Sequence, residues 1–218
     1  MSKLSTLAEN LIGSEIVKLG NAINERRSKG ETIYNFTIGD FDPQIFPIPT
    51  ALEEGIIKAY RDKKTNYPPG DGLLSLRQAV GDLFRRVEGI DYSNDEIQIC
   101  SGGRPVIYAL FKTIVDAGEK VIYTVPSWNN NHYASMHNAN SCQITVTPEN
   151  NFMPTAADIA PHVSGAVLLC LCSPQNPTGT TFGKEQLEAI CDLVIEENAK
   201  RGTDEKKLYV MFDQMYWT

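Results

Sequence analysis

Asn176, Asp213 and Tyr216 place an amide, a carboxylate and a phenol just beyond two apolar runs, Ala166 to Cys172 and Leu208 to Phe212. Runs of that length and apolarity read as buried strands. Open α/β sheets bind their ligands beyond the carboxyl ends of such strands. The amide can donate, the phenol can donate or accept, and an acid closing an apolar run needs a partner, because a buried unpaired carboxylate is costly. A flat heteroaromatic ring with a protonated nitrogen and a phenolic oxygen matches all three groups. Within Asn176-Pro177-Thr178-Gly179 the proline and glycine restrict the loop that carries the amide. Pro177 also removes Asn176 as a glycosylation acceptor.

Two further segments sit at strand ends. Ser101-Gly102-Gly103-Arg104 lies before a helix. Two glycines let a backbone approach an anion, and a helix N-terminus presents free N–H groups to it. The same pair serves equally as an ordinary turn, and it matches neither Gly-x-Gly-x-x-Gly nor the P-loop. Pro126-Ser127-Trp128 follows another strand; a tryptophan there stacks on a flat ring or fills a domain edge. His132, His137 and His162 are scattered, show no metal-ligand or triad spacing, and receive no catalytic role.

The elements that must position these groups follow from periodicity. Leu4, Leu7, Leu11, Ile16, Leu19 and Ile23 keep helical spacing through an N-terminal arm closed by Gly30. Thr32 to Ile38 reads as extended, and helices are expected from about Thr50 to Arg61 and through Leu76, Val80 and Phe84. Asn66-Tyr67-Pro68-Pro69-Gly70-Asp71-Gly72 is a turn-rich loop between those helices. Strand then alternates with helix: Ile97 to Cys100, a helix from Arg104, Lys120 to Val125, a helix near Asn130 to Asn138, Cys142 to Val146, Ala166 to Cys172, a helix over Gln186 to Arg201, and Leu208 to Phe212. That rhythm predicts an α/β fold, a mostly parallel central sheet with helices on both faces.

Composition narrows the class. The chain has 218 residues, 42% of them hydrophobic and 22% charged, an ordinary globular balance. A net charge of -7 without a basic stripe argues against nucleic acid or an anionic membrane as partner. The one basic cluster, Arg26-Arg27-Ser28-Lys29, closes a helix, where cations are favourable in any case. The 5 cysteines, an odd number without a Cys-x-x-Cys pair, are expected to be buried and reduced, four in strands and one in a helix. No long apolar run occurs, and a cytoplasmic location is expected.

Taken together, these residues resemble the fold-type I pyridoxal-phosphate enzymes, and among them the class I and II aminotransferases, with aspartate aminotransferase as the familiar relative. The likeness runs from about Gly39 to the C-terminus. It rests first on Asn176-Pro177-Thr178-Gly179 with Asp213-x-x-Tyr216, and then on the Tyr67 loop, the Gly102-Gly103 turn and Pro126-Ser127-Trp128. The resemblance implies that Gly102, Gly103 and Arg104 cradle the phosphate of pyridoxal 5'-phosphate and that Trp128 stacks on its ring. It implies that Asn176 and Tyr216 bind the phenolic oxygen and that Asp213 pairs with the pyridinium nitrogen. Tyr67 would reach the phosphate in a neighbouring subunit, hence a homodimer, and Gly39 would belong to the substrate-carboxylate loop. Arg104-Pro105 departs from the family's smaller or amide-bearing residues at that turn.

By this resemblance, residues 1–48 form an N-terminal arm and part of a small domain, and residues 49–218 a cofactor-binding large domain. The implied activity moves an amino group from an amino acid to a 2-oxo acid. A lyase or decarboxylase on the same scaffold, or a non-catalytic short form that binds cofactor or partner, are the alternatives. The Schiff-base lysine and the carboxylate-binding arginine of the family lie downstream of Asp-x-x-Tyr, so the sequence is expected to be the N-terminal part of a longer enzyme. The 218-residue chain alone is therefore expected to show no transaminase turnover in an amino-acid plus 2-oxo-acid assay, and sustained turnover would overturn the expectation.

Overall fold

The computed structural model describes residues 3–216 apart from Ile12, Ser14, Ile38 and Asp40. The chain divides into two compact units, Met1–Pro69 and Gly70–Thr218.

The first unit holds helices α1 (Thr6–Glu9), α2 (Glu15–Ser28) and α3 (Thr50–Arg61). Ser5 caps α1 by accepting from the Ala8 N–H. Gly30, with φ +87, follows the end of α2, and the Arg26 guanidinium pairs with Glu31 across the turn at 2.6 Å. The extended run expected at Thr32 to Ile38 is a loop over its described residues; Ile38 lies outside them. The Asn35 side-chain oxygen accepts from the Thr37 N–H and hydroxyl at 3.0 and 2.7 Å, a local bond that competes with strand pairing. On α3, Leu52, Ile56 and Tyr60 repeat along one face and remain exposed.

The second unit contains α4 (Leu74–Glu88), α5 (Gly103–Ile114), β1 (Lys120–Val125), α6 (Asn130–Met136), β2 (Asn140–Thr145), α7 (Ala156–Ile159), β3 (Ala166–Cys172), α8 (Lys184–Lys200) and β4 (Tyr209–Asp213). All strand pairs are parallel, in the order β2-β1-β3-β4. Pleating separates the core into two layers. Ile122, Leu169 and Leu171 face α7 and α8 through Ile159, Ile190 and Val194. Val121, Tyr123, Leu168, Cys170 and Met211 face α5 and α6 through Phe111, Tyr133 and Ala134. Helices thus cover both faces, as the alternation predicts, and burying each Leu or Ile contributes on the order of 2 kcal/mol. The run of α6 on one face and α8 on the other reverses the winding between β1 and β3, which makes that junction the switch point where such sheets open a crevice.

Ile97 to Cys100 is a loop, not a strand, following a 3-10 turn at Asn94–Glu96. Its backbone serves another purpose: the Ile99 N–H donates to the Asp71 carbonyl at 3.1 Å, and Gln98 Nε2 donates to the Gly70 carbonyl at 2.9 Å. Arg77 on α4 reinforces this corner, pairing with Asp71 at 2.8 Å and donating to the Asn94 carbonyl at 2.9 Å. Gly72 is required there, because φ is +95 and a Cβ would overlap the Ile99 side chain, with Cγ1 at 2.7 Å. Gly165 also has positive φ, +68, but open space around it. Gly72→Ala is therefore expected to lose about 3 kcal/mol and Gly165→Ala about 1 kcal/mol; equal shifts in the urea midpoint would refute the overlap.

Candidate functional site

Parallel pairing brings the carboxyl ends of β1, β3 and β4 to one edge of the sheet. The register pairs Cys172 with Asp213, and the Ser173 N–H extends the ladder by donating to the Asp213 carbonyl at 3.1 Å. Cys170, Met211, Cys172 and Asp213 therefore share the face that α5 and α6 cover, while Phe212 points to the other face and meets the Phe182 ring at 6.5 Å. Asp213 is half-buried, and one of its carboxylate oxygens accepts from the Met215 N–H at 3.1 Å, which turns the chain back toward the site.

Tyr216 ends that turn. Asn176 Nδ2 donates to its hydroxyl at 2.8 Å, so the amide and phenol picked from sequence meet directly across the ends of β3 and β4. The Asn176 loop is closed by its own backbone, with the Gly179 N–H donating to the Gln175 carbonyl and the Gln175 N–H to the Thr180 carbonyl, both at 2.7 Å. Met215, between Asp213 and Tyr216, reaches the Gly102-Gly103 turn: a Cβ on Gly103 would lie 3.0 Å from Met215 Cε. The turn after β4 thus packs on the start of α5.

The start of α5 has an anion site's chemistry. Gly102 is its N-cap with φ +99, and no side chain caps the helix. The N–H groups of Gly103 and Arg104 belong to the orphan donors of the first turn, while Pro105 removes one donor from that turn. Arg104 is exposed and adds positive charge to the same end. Trp128 is half-buried in the turn between β1 and α6. Tyr67 and Gly39 belong to the first unit; Tyr67 is fully exposed, and a Cβ on Gly39 would meet nothing within 4 Å.

Three residues enter the site without a sequence signal of their own. Tyr133 on α6 is 5% exposed and packs on Phe111 at 5.7 Å. Burial pushes its phenol above the ordinary range, the Arg104 charge pulls it down and the Asp213 charge pushes it up, so both charges act on this one ring. Its place in the stretch expected to be helical near Asn130 to Asn138 does not mark it as the residue between those charges. Met215 and the buried Gln175 are the others. Lys206 and Lys207, which precede β4, are engaged at its opposite end: Lys206 with Asp116, Glu119 and the Ile114 carbonyl, Lys207 with the Asn198 and Arg201 carbonyls.

The cysteines are less uniform than expected. Cys170 is buried, Cys142 and Cys172 are half-buried, and Cys100 and Cys191 are exposed, Cys100 because its expected strand is a loop. The Cys172 thiol donates to the Pro174 carbonyl at 3.2 Å. Burial raises its pKa first, the Asn176 N–H lowers it and Asp213 raises it. Burial alone raises that of Cys170 strongly.

A parallel sheet with polar strand ends, an uncapped helix start and a switch point between β1 and β3 is the α/β arrangement whose ligands bind at that edge. Residues 31–218 match the family model for aminotransferases of class I and II, and the chain belongs to that family. It is similar to the probable aspartate/prephenate aminotransferase of Rickettsia conorii, 32% identical over 196 residues that cover 89% of this chain and 48% of the relative. It is 28% identical over 217 residues to the aspartate/prephenate aminotransferase of Thermus thermophilus, covering 98% of this chain and 55% of that one. The solved aspartate aminotransferase from Thermus thermophilus with maleate superposes with a TM-score of 0.85 at 28% identity, over 98% of this chain and 53% of that structure. The chain thus spans about half the length of the curated relatives it matches.

Two measurements check the site's electrostatics. In tyrosine-labelled protein, Asp213→Asn is expected to lower the Tyr133 pKa and Arg104→Met to raise it; an unmoved resonance would separate these charges from the ring. At pH 8, alkylation is expected to reach Cys100 and Cys191 first, Cys172 later and Cys170 last, read by mass spectrometry of timed digests.

Proposed function

We propose that this chain is the cofactor-binding part of a pyridoxal-phosphate-dependent aminotransferase that exchanges an amino group between an amino acid and a 2-oxo acid. The observation that carries the reading is the meeting of Asn176 with Tyr216 at 2.8 Å beside Asp213, next to an uncapped helix start. One end of the site offers positive charge and the N–H groups of a helix start, and the other a carboxylate that accepts from the Met215 N–H. That polarity suits a ligand with an anion at one end and a ring cation at the other.

In this reading the N–H groups of Gly103 and Arg104, with the Arg104 guanidinium, hold the phosphate. Trp128 stacks on the ring, and Asn176 and Tyr216 hydrogen-bond its phenolic oxygen. Asp213 keeps the ring nitrogen protonated, because a carboxylate at hydrogen-bond distance favours the charged form. When bound, the cofactor supplies an electron sink for the carbanion formed at the substrate Cα. Holding the ring at both ends fixes the reacting bond against it, which lowers the entropic part of the barrier. Tyr67, exposed on the first unit, is proposed to complete the phosphate site of a second copy in a homodimer, and Gly39 to lie in the substrate-carboxylate loop. The odd number of cysteines supports a reducing, cytoplasmic setting.

Pyridoxamine 5'-phosphate is the probe that needs no lysine. Its ring nitrogen is expected to remain protonated on the wild-type chain to a pH about 1–3 units higher than in free solution, followed by ultraviolet absorption. Asp213→Asn should abolish that shift while leaving the far-ultraviolet circular dichroism unchanged. Binding with no shift in wild type would sink the role of Asp213, and absence of binding would sink the reading.

A further inference from the structure

Gln175 is a buried polar side chain, 4% exposed, between β3 and Asn176. Its Nε2 donates to the Pro126 carbonyl at 2.8 Å and also lies 3.4 Å from the Thr124 hydroxyl. Both acceptors belong to the end of β1 and the turn that leads to Trp128. Its main chain acts elsewhere, closing the Asn176 loop through Thr180 and Gly179. The residue therefore grips one loop with its side chain and the other with its backbone.

The position of this bridge matters because the sheet opens there. The pairs between β1 and β3 end at Tyr123 with Cys170, although β1 continues to Val125 alongside β2 and β3 continues to Cys172 alongside β4. Beyond that last pair the two strands part at the switch point, and Gln175 spans the gap.

We propose that Gln175 is a positioning residue that joins the turn after β1 to the loop after β3, beyond the end of their ladder, and so sets the spacing between Trp128 and Asn176. The inference deepens the cofactor reading above and rests on it: the ring-stacking side chain and the amide for the phenolic oxygen sit on separate loops, and the bridge makes them move as one unit. A donor is required at this position, since both acceptors are oxygens and a carboxylate would face the Pro126 carbonyl with like partial charge. An apolar isostere would leave that partly buried carbonyl without its donor.

The test compares wild type with Gln175→Met in a Trp217→Phe background, where Trp128 is the remaining indole. Without ligand, acrylamide quenching of Trp128 is expected to rise about twofold in the variant as the loop loosens. With pyridoxamine 5'-phosphate, affinity is expected to fall about tenfold, the cost of one buried hydrogen bond, and the quench of Trp128 at saturation should be smaller. Equal affinity together with an equal saturating quench overturns the proposal. Wild-type protein that binds no pyridoxamine phosphate defeats the parent reading instead, and unchanged acrylamide access then overturns the bridge independently. Where Gln175→Met does not fold, Gln175→Asn, which keeps the amide but shortens its reach, carries the same two expectations.

Discussion

Parallel pairing of β3 with β4 is the constraint on which the site depends. Side chains alternate between faces along a strand, so the register that sets Cys172 opposite Asp213 also sends Asp213 to the α5 face and Phe212 to the α8 face. A slip of one residue would exchange them, presenting an aromatic ring to the ligand edge and burying a carboxylate against apolar helices. Only the observed register satisfies the core and the site together.

That register is held at the far end of β4. The Asn198 side chain pairs with the Leu208 backbone, donating to its carbonyl at 2.9 Å and accepting from its N–H at 2.7 Å. The largely buried Arg201 pairs with Glu197 at 2.9 Å and donates to the Lys206 carbonyl at 2.7 Å. Lys206 in turn spans Asp116 and Glu119 at 2.9 and 2.7 Å. These bonds tie the end of α8 and the approach to β1 to the start of β4. The two lysines nearest Asp213 in sequence thus act as anchors of the strand, remote from its carboxyl end.

At the ligand edge the charges are ordered in space. Arg104 and the α5 start supply positive potential, Asp213 supplies negative potential, and Tyr133 feels both. A chain with net charge -7 has no general attraction for an anion, so any such attraction has to come from a local field such as that at the α5 start. Where the β1/β3 ladder ends, the buried amide of Gln175 joins the turn after β1 to the loop after β3.

Much of this is legible in the residues alone. The apolar runs delimit β1 and β3 to the residue, and the amphipathic stretches locate α3, α4, α5 and α8. Periodicity misplaces Ile97 to Cys100, because an extended loop and a strand share local backbone preferences and differ only in whether a partner strand lies alongside. The same limit hides Tyr133, Met215 and Gln175, whose importance comes from neighbours far away in the chain. By itself the sequence determined which polar groups end the strands, since alternation and turn chemistry are local properties. The tertiary structure decided that Asn176 meets Tyr216, that the turn after β4 packs on α5, and that Gln175 bonds to the turn after β1, because each depends on parallel partners and a register chosen across long stretches of chain.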